Sequence, residues 1–327
     1  MTTYKEIQGI SVQTVAGDPP APLTGQIWYN SSTGNFKVYR ESLGGSWATG
    51  NTVNNNRAYL AGAGTQTAAL MFGGRFGDPG ATETYNGTNW TTVNTMNTDR
   101  FYLSGTGTQT AAISSGGLTP GFSLQSLTES WNGTNWTEVN DLNTARHALA
   151  GAGTQTAALS FGGSPYPNPT KVSLTETWNG TNWTEVGDLN TARDRMGGSG
   201  TQTAALAYGG STPTVLSVTE SWNGTNWTEV NDLSLGRYNA GSFGTTTTFA
   251  LIGGGVNPEG DRTNATEVYN GTNWITGADM NYTKAYHAGA GGTNSGVMFN
   301  GAPPAGLTGT TDEFNAPAAV TETITEV

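Results

Sequence analysis

The string Asn-Gly-Thr-Asn-Trp occurs five times, ending at Trp90, Trp136, Trp183, Trp227 and Trp274, and nothing else in the chain constrains the fold as strongly. Ten positions after each of these tryptophans stands a basic residue: Arg100, Arg146, Arg193, Arg237 and Lys284. Trp47 and Arg57 keep the same offset, although the residues before Trp47 read differently. Successive tryptophans lie 43, 46, 47, 44 and 47 residues apart, which defines six units. A period in this range marks an architecture in which each unit is one supersecondary element that its neighbours must cover.

Each unit reads as four strands. After the basic residue comes a run of small residues, such as 58–64. A Thr-Gln-Thr turn then leads into a compact apolar run ending in paired glycines, as in 68–74, 111–117, 157–163, 204–210 and 249–254; the sixth copy, 296–301, carries Asn300 in place of the first glycine. A continuous apolar run is expected where both faces of a strand are covered. The third strand alternates, with Glu83 and Tyr85 on one face and Thr82 and Thr84 on the other, and Asn86-Gly87 supplies residues suited to a tight hairpin before Trp90. Composition agrees: 48 glycines disfavour helices, and charged residues are 11% of the chain against about 25% in an average protein. Ten tryptophans and twelve tyrosines argue against disorder.

A four-stranded unit cannot bury two faces alone, but units stacked around an axis cover one another. Small residues such as Gly62 and Gly64 suit the crowded inner end. The large rings at Trp90 and Tyr85, and at Trp131, Trp178, Trp222, Tyr269 and Phe314, suit the widening gaps further out. Paired glycines, an aromatic on the third strand and a tryptophan opening the fourth resemble the kelch family of β-propellers over most of the chain, from Trp47 to Asn315. The expectation is an all-β fold, a six-bladed kelch-like propeller. The sixth unit reaches Glu313 and Phe314 with no tryptophan after it, and Trp47 supplies the missing strand, so the N-terminal strand closes the ring. This divides the chain into residues 1–46 (linker and hairpin), 47–315 (propeller) and 316–327 (tail). A seven-bladed ring using the extra hairpin of residues 26–40 and the tail 320–327 is the alternative.

A Pro-rich stretch, 16–24, precedes that hairpin as a stiff connector. The run from Pro22 to Asn30, followed by a turn and Phe36 to Tyr39, is similar to segments near the start of bacteriophage tail-fibre and virion structural proteins. The similarity implies a virion component (tail, fibre or decoration) that attaches through residues 1–46 and displays the repeats for host-surface or protein binding. An intracellular kelch-type interaction module is the second reading and a glycan-active enzyme the third.

Formal net charge is −11, so nucleic-acid binding through a basic surface is not expected. No uninterrupted apolar stretch approaches the roughly 20 residues of a membrane helix, and residues 1–13 lack an apolar run suited to a secretory signal. A soluble protein is expected. With no cysteine there is no disulfide, thiolate nucleophile or Cys-based zinc site. His147 and His287 fall in different units and read as surface polar residues, not metal ligands. Repeated acids at Glu83, Glu129, Glu176, Glu220, Glu267 and Glu313 read as structural, paired with strand edges or with the repeated arginines. Asp141, Asp188, Asp232 and Asp279 read as turn residues. No catalysis, cofactor or metal is expected.

Antiparallel order puts the Thr-Gln-Thr and Asn-Gly-Thr-Asn turns on one uniform face. The opposite face carries loops that differ in every unit: 75–81, 118–127, 164–174, 211–218, 255–265 and 302–310. Binding concentrates on variable loops held by a rigid scaffold. The candidate contact residues lie here: Arg57, Tyr59, Arg100, Tyr102, Arg146, His147, Arg193, Arg195, Arg237, Tyr238, Lys284 and Tyr286. Aromatics beside arginine suit sugars and acidic or planar groups. For the repeated basic residues an ion pair with the repeated glutamates is an equal alternative. The uniform face or residues 1–46 would meet other virion proteins, and homo-oligomerisation stays open.

Overall fold

The structure, a computed structural model, describes residues 12–19, 26–41, 45–167, 170–316 and 319–323. Residues 1–11, residues 20–25 of the Pro-rich connector and residues 324–327 of the tail lie outside the described residues. The described chain is all-β, without helices, and forms seven four-stranded sheets. It divides into two compact units, one of Met1–Gly45 with Pro317–Val327 and the other Ser46–Ala316.

In the larger unit the first repeat forms a sheet of Ala61–Thr65, Ala68–Phe72, Thr82–Tyr85 and Trp90–Val93, each strand antiparallel to the next. Five more antiparallel sheets repeat this order. Their first strands pack side by side: Ala61–Thr65 on Ser104–Gly107, then Ala150–Gly153, Gly197–Thr201, Gly241–Thr246 and Ala288–Gly291, which returns to Ala61–Thr65. Repeated four-stranded antiparallel sheets arranged in this way are consistent with a β-propeller. Small residues permit the close approach. A Cβ on Gly62 would stand 2.6 Å from the Gly289 carbonyl oxygen, and one on Gly289 would stand 2.7 Å from that of Ser242.

Neighbouring sheets are joined by the aromatics. In five of the six repeats the tryptophan that opens the fourth strand sends its indole N–H to the threonine that opens the third strand of the preceding repeat: Trp136 to Thr82 at 2.9 Å, Trp183 to Thr128 at 3.0 Å, Trp227 to Thr175 at 3.0 Å, Trp274 to Thr219 at 2.9 Å and Trp90 to Thr311 at 3.0 Å. Its ring meets that repeat's second strand, as Trp136 does Phe72 (centroids 4.8 Å) and Trp90 does Phe299 (4.9 Å). One side chain thus seals apolar surface and satisfies its own polar atom.

The paired glycines serve a second link. The second of each pair donates its N–H to the carbonyl of the next repeat's basic residue, from Gly74 to Arg100 (2.9 Å) around to Gly301 and Arg57 (3.1 Å); in the fifth repeat the pair is Gly254 and Gly255, one residue beyond the expected end of the run. The first adopts a left-handed backbone, φ 68° at Gly73. Asn300 takes φ 63° in its place, a conformation asparagine tolerates, and its Oδ1 accepts from the Arg57 N–H at 2.9 Å. The Asn-Gly hairpin differs from expectation. Tyr85 pairs with Trp90, so the loop has four residues, 86–89, and of Asn86 and Gly87 only the glycine takes positive φ. Asn86 Oδ1 instead accepts from the N–H groups of Thr88 and Asn89, at 3.0 and 2.8 Å.

Ser46–Gly50 pairs antiparallel with Thr311–Asn315, placing Trp47 opposite Phe314. A strand from the start of the unit therefore completes the sheet at its end. The smaller unit is one mixed sheet. Ile27–Asn30 and Asn35–Glu41 form the expected hairpin, Gln13–Val15 lies parallel to its first strand, and Ala319–Thr323 lies antiparallel to its second. Trp28 is fully buried in it, and Asp18 accepts from Asn30 Nδ2 at 2.8 Å and pairs with Lys37 at 2.9 Å.

Candidate functional site

The repeated basic residues are scaffold. Arg57, Arg100, Arg146, Arg193, Arg237 and Lys284 are all buried, at 0–1% exposure. Each pairs with an acid on its own repeat's third strand: Arg57 with Glu83 (2.9 Å), Arg100 with Glu129 (2.9 Å), Arg146 with Glu176 (3.2 Å), Arg193 with Glu220, Arg237 with Glu267 (2.8 Å) and Lys284 with Asp312 (2.8 Å). Burial pushes the Arg100 guanidinium below its ordinary pKa, and Glu129 opposes that shift. Glu129 also accepts from the Asn97 N–H at 2.7 Å, and Glu83, Glu176, Glu220 and Glu267 accept likewise from Asn54, Asn143, Asn190 and Ser234, so these five acids tie the connection between two repeats to the next sheet. These six side chains cannot reach a ligand on the variable face, so they leave the candidate contact set. The sixth repeat keeps the register of the others, with Thr311 and Asp312 at the places of Thr82 and Glu83, so the expected acid Glu313 is one residue off. Asp312, not Glu313, holds the acid position, and Glu313 accepts from the Tyr85 hydroxyl of the adjacent sheet.

Two positions beyond each basic residue the structure forms a ring. Tyr59, Tyr102, Ala148, Arg195, Asn239 and Tyr286 all have left-handed backbones, with φ of 53–63°. Each donates its N–H to the carbonyl of its counterpart in the preceding repeat: Tyr102 to Tyr59 (2.8 Å), Ala148 to Tyr102 (2.7 Å), Arg195 to Ala148 (2.8 Å), Asn239 to Arg195 (3.0 Å), Tyr286 to Asn239 (2.7 Å) and Tyr59 to Tyr286 (2.9 Å). The cycle closes. Non-glycine residues are rarely held at positive φ unless surrounding structure imposes it, and here the closed hydrogen-bond cycle does so.

This ring surrounds a cavity of about 100 Å³ lined by those residues with Leu60, Leu103, Leu149, Met196, Ala240 and His287. Tyr59 sits between Tyr102 and Tyr286, with ring centroids 4.5 and 4.7 Å away. Burial raises the Tyr59 and Tyr102 pKa values, so both hydroxyls stay protonated donors near neutral pH. The Arg195 guanidinium lies 5.9 Å from the Tyr102 ring and 5.7 Å from that of Tyr238. Tyr59, Tyr102, Arg195 and Tyr286 are thus brought together at one end of the first strands.

His147 and Tyr238 stand one position earlier, where residues pair with the start of the variable loop: His147 with Ser164 and Tyr238 with Val256. His147 is buried rather than a surface residue, and its Nδ1 donates to the Ser164 carbonyl at 2.7 Å. Burial lowers its pKa and favours the neutral imidazole. His287 is also buried, and its Nε2 accepts from the Gly241 N–H at 3.1 Å.

Sequence reasoning missed a second cluster beside the ring. Arg75, Phe76, Phe122 and Tyr166 come from the variable loops of three consecutive repeats. Phe76, Phe122 and Tyr166 are 57%, 38% and 44% exposed. The Arg75 guanidinium lies 4.9 Å from the Phe76 ring, 5.2 Å from Phe101 and 4.5 Å from Phe122. Phe122 and Tyr166 stack at 5.9 Å with 27° between planes. The available signal was position: Arg75 and Phe76 directly follow the paired glycines, where loops leave the scaffold.

The uniform face is less free than its repeated turns suggest. Gln109 Nε2 donates to the Tyr85 and Ala69 carbonyls, and Gln202 Nε2 to those of Trp178 and Ala158, all in the preceding repeat. These glutamines are staples between sheets. Gln202→Ala orphans buried carbonyls, so we expect a loss of about 1–3 kcal/mol, read as a lower urea midpoint with an unchanged slope.

No protein-family model matches the chain, and no curated protein is significantly similar in sequence. Among the described residues no cluster of histidine and acidic side chains is arranged to hold a metal, and no helix is long and apolar enough to cross a membrane.

Proposed function

We propose that the chain is a six-bladed β-propeller of the kelch type that acts as a recognition module. Its contact surface is the face bearing the variable loops and the tyrosine-lined ring. We propose further that it is a bacteriophage virion component, in a tail, fibre or decoration, for which the support is the resemblance of residues 22–39 to segments of such proteins. The observation that carries the binding reading is the division of labour among side chains. The repeated charged residues are consumed inside the scaffold, whereas exposed and half-buried aromatics and half-buried arginines that differ from repeat to repeat gather at one end of the sheets. Non-repeating groups on a rigid repeating frame are what selective contact requires.

Adsorption competition tests it. Purified protein is expected to remain associated with phage particles and, when added free, to slow their adsorption to host cells. The double variant Tyr286→Ala with Arg195→Ala should compete about thirtyfold less well or worse, as loss of a hot spot of about 2 kcal/mol or more implies. Its melting temperature should stay within a few degrees. Equal competition by the variant would show that the ring is not the contact. Turnover of a glycoside by the purified protein would replace the binding reading with an enzymatic one.

A further inference from the structure

Arg75 differs from the other arginines whose side chains are described. The five in the repeated position are buried in ion pairs. Arg195 has Asp194 at 3.8 Å, and Arg262 donates to the Pro303 carbonyl. Among the described side chains no carboxylate lies within ion-pair distance of Arg75, in a chain with 24 acidic and 13 basic residues. Its backbone is nevertheless fixed, donating to the Ala58 carbonyl at 2.8 Å and accepting from its N–H at 3.0 Å. Three aromatic rings within 5.2 Å hold the guanidinium. Stacked guanidinium groups keep their planar N–H edge for a bidentate acceptor.

The surrounding rings point to the rest of the ligand. Phe76 and Phe122 adopt φ of 69° and 61°, sparsely populated for bulky side chains, and both rings remain exposed. Leaving large rings in water on strained backbone costs stability, which contact with a ligand would offset. Exposed rings beside a cation suit a molecule with an apolar C–H face and an acidic edge on the same small ring.

We infer that Arg75, Phe76, Phe122 and Tyr166 form a subsite for a carboxylated sugar residue of a surface glycan. The carboxylate engages the Arg75 fork and the sugar ring lies on the aromatic faces. This rests on the recognition reading of the variable face and names its ligand class.

Ligand-observed NMR and calorimetry on the full chain test it, with N-acetylneuraminic acid and glucuronic acid as probes. Glucose, inorganic phosphate and a polyglutamate peptide are the controls. The acidic sugars should bind and glucose should bind at least about tenfold more weakly, because a charge-assisted pair is lost. Arg75→Gln should remove that preference, and Phe122→Ala should weaken all sugars while keeping it. Arg75→Lys, which keeps the charge without the planar fork, should retain part of the preference and guards against a folding defect in Arg75→Gln. Equal binding of neutral and acidic sugars, or an acidic preference intact in Arg75→Gln, overturns the subsite. So does binding of phosphate or polyglutamate without sugar. In each of those cases adsorption competition by the unmodified protein would still uphold the recognition face; loss of competition would overturn that reading instead.

Discussion

A chain trimmed to residues 51–316 is expected to aggregate or unfold without cooperativity, whereas one spanning Ser46–Ala316 should fold and melt as a unit. The two differ by Ser46–Gly50, which pairs with Thr311–Asn315 and sets Trp47 against Phe314 at 5.2 Å. Trp47 also donates its indole N–H to the Ala278 carbonyl at 2.9 Å, joining the last two repeats. Without this strand Phe314, now fully buried, loses cover, and Thr311–Asn315 becomes an unpaired edge. Exposed apolar edges template aggregation, and the lost contacts are large against a total stability of about 5–15 kcal/mol. Circular dichroism melts and light scattering on the two truncations decide it. Similar cooperative melts would mean that the closing strand is dispensable.

Arg100→Met should destabilise the protein by about 3–5 kcal/mol, because it leaves the Glu129 carboxylate buried without its cation. The arginine also donates to the Gly116 and Leu127 carbonyls, both at 2.7 Å, so further polar groups lose partners. Adding Glu129→Gln should recover a substantial part of the loss. The neutral amide removes the stranded charge yet keeps an oxygen for the Asn97 N–H. Urea denaturation of the two single variants and the double closes the cycle. A single variant within 1 kcal/mol of the unmodified protein would show that the ion pair does not hold the connection to the sheet.

Local features were legible where the physics is local. The Asn-Gly-Thr-Asn loop closes on neighbours two or three residues away, and the paired glycines and the tryptophan of the fourth strand recur at fixed offsets, although their partners lie in adjacent repeats. The Glu–Arg pair was visible as one of two alternatives, since the pattern places Arg100 and Glu129 in one repeat but does not show which side of the sheet encloses them. The acid of the sixth repeat was misplaced because Glu313 keeps the residue type of the other repeats, although Asp312 keeps their spacing of two residues before the aromatic. His147 and Tyr238 were grouped with Tyr59 for a similar reason. Both follow the basic residue by one position, whereas every ring residue follows it by two, so the constant offset points to Ala148 and Asn239, which carry no aromatic ring to draw notice.

The sequence by itself determined an all-β chain of repeated four-stranded units, the residues that seal one unit to the next, and the loops free to vary. Tertiary structure decided which charges are spent internally and which remain available. Arg100 and Arg75 are the same residue type 25 positions apart, yet one is enclosed by an acid and backbone carbonyls, while the other lies among three rings with no described carboxylate at ion-pair distance. That difference arises when loops from consecutive repeats converge in space, so that side chains distant along the chain set one another's burial and electrostatic field.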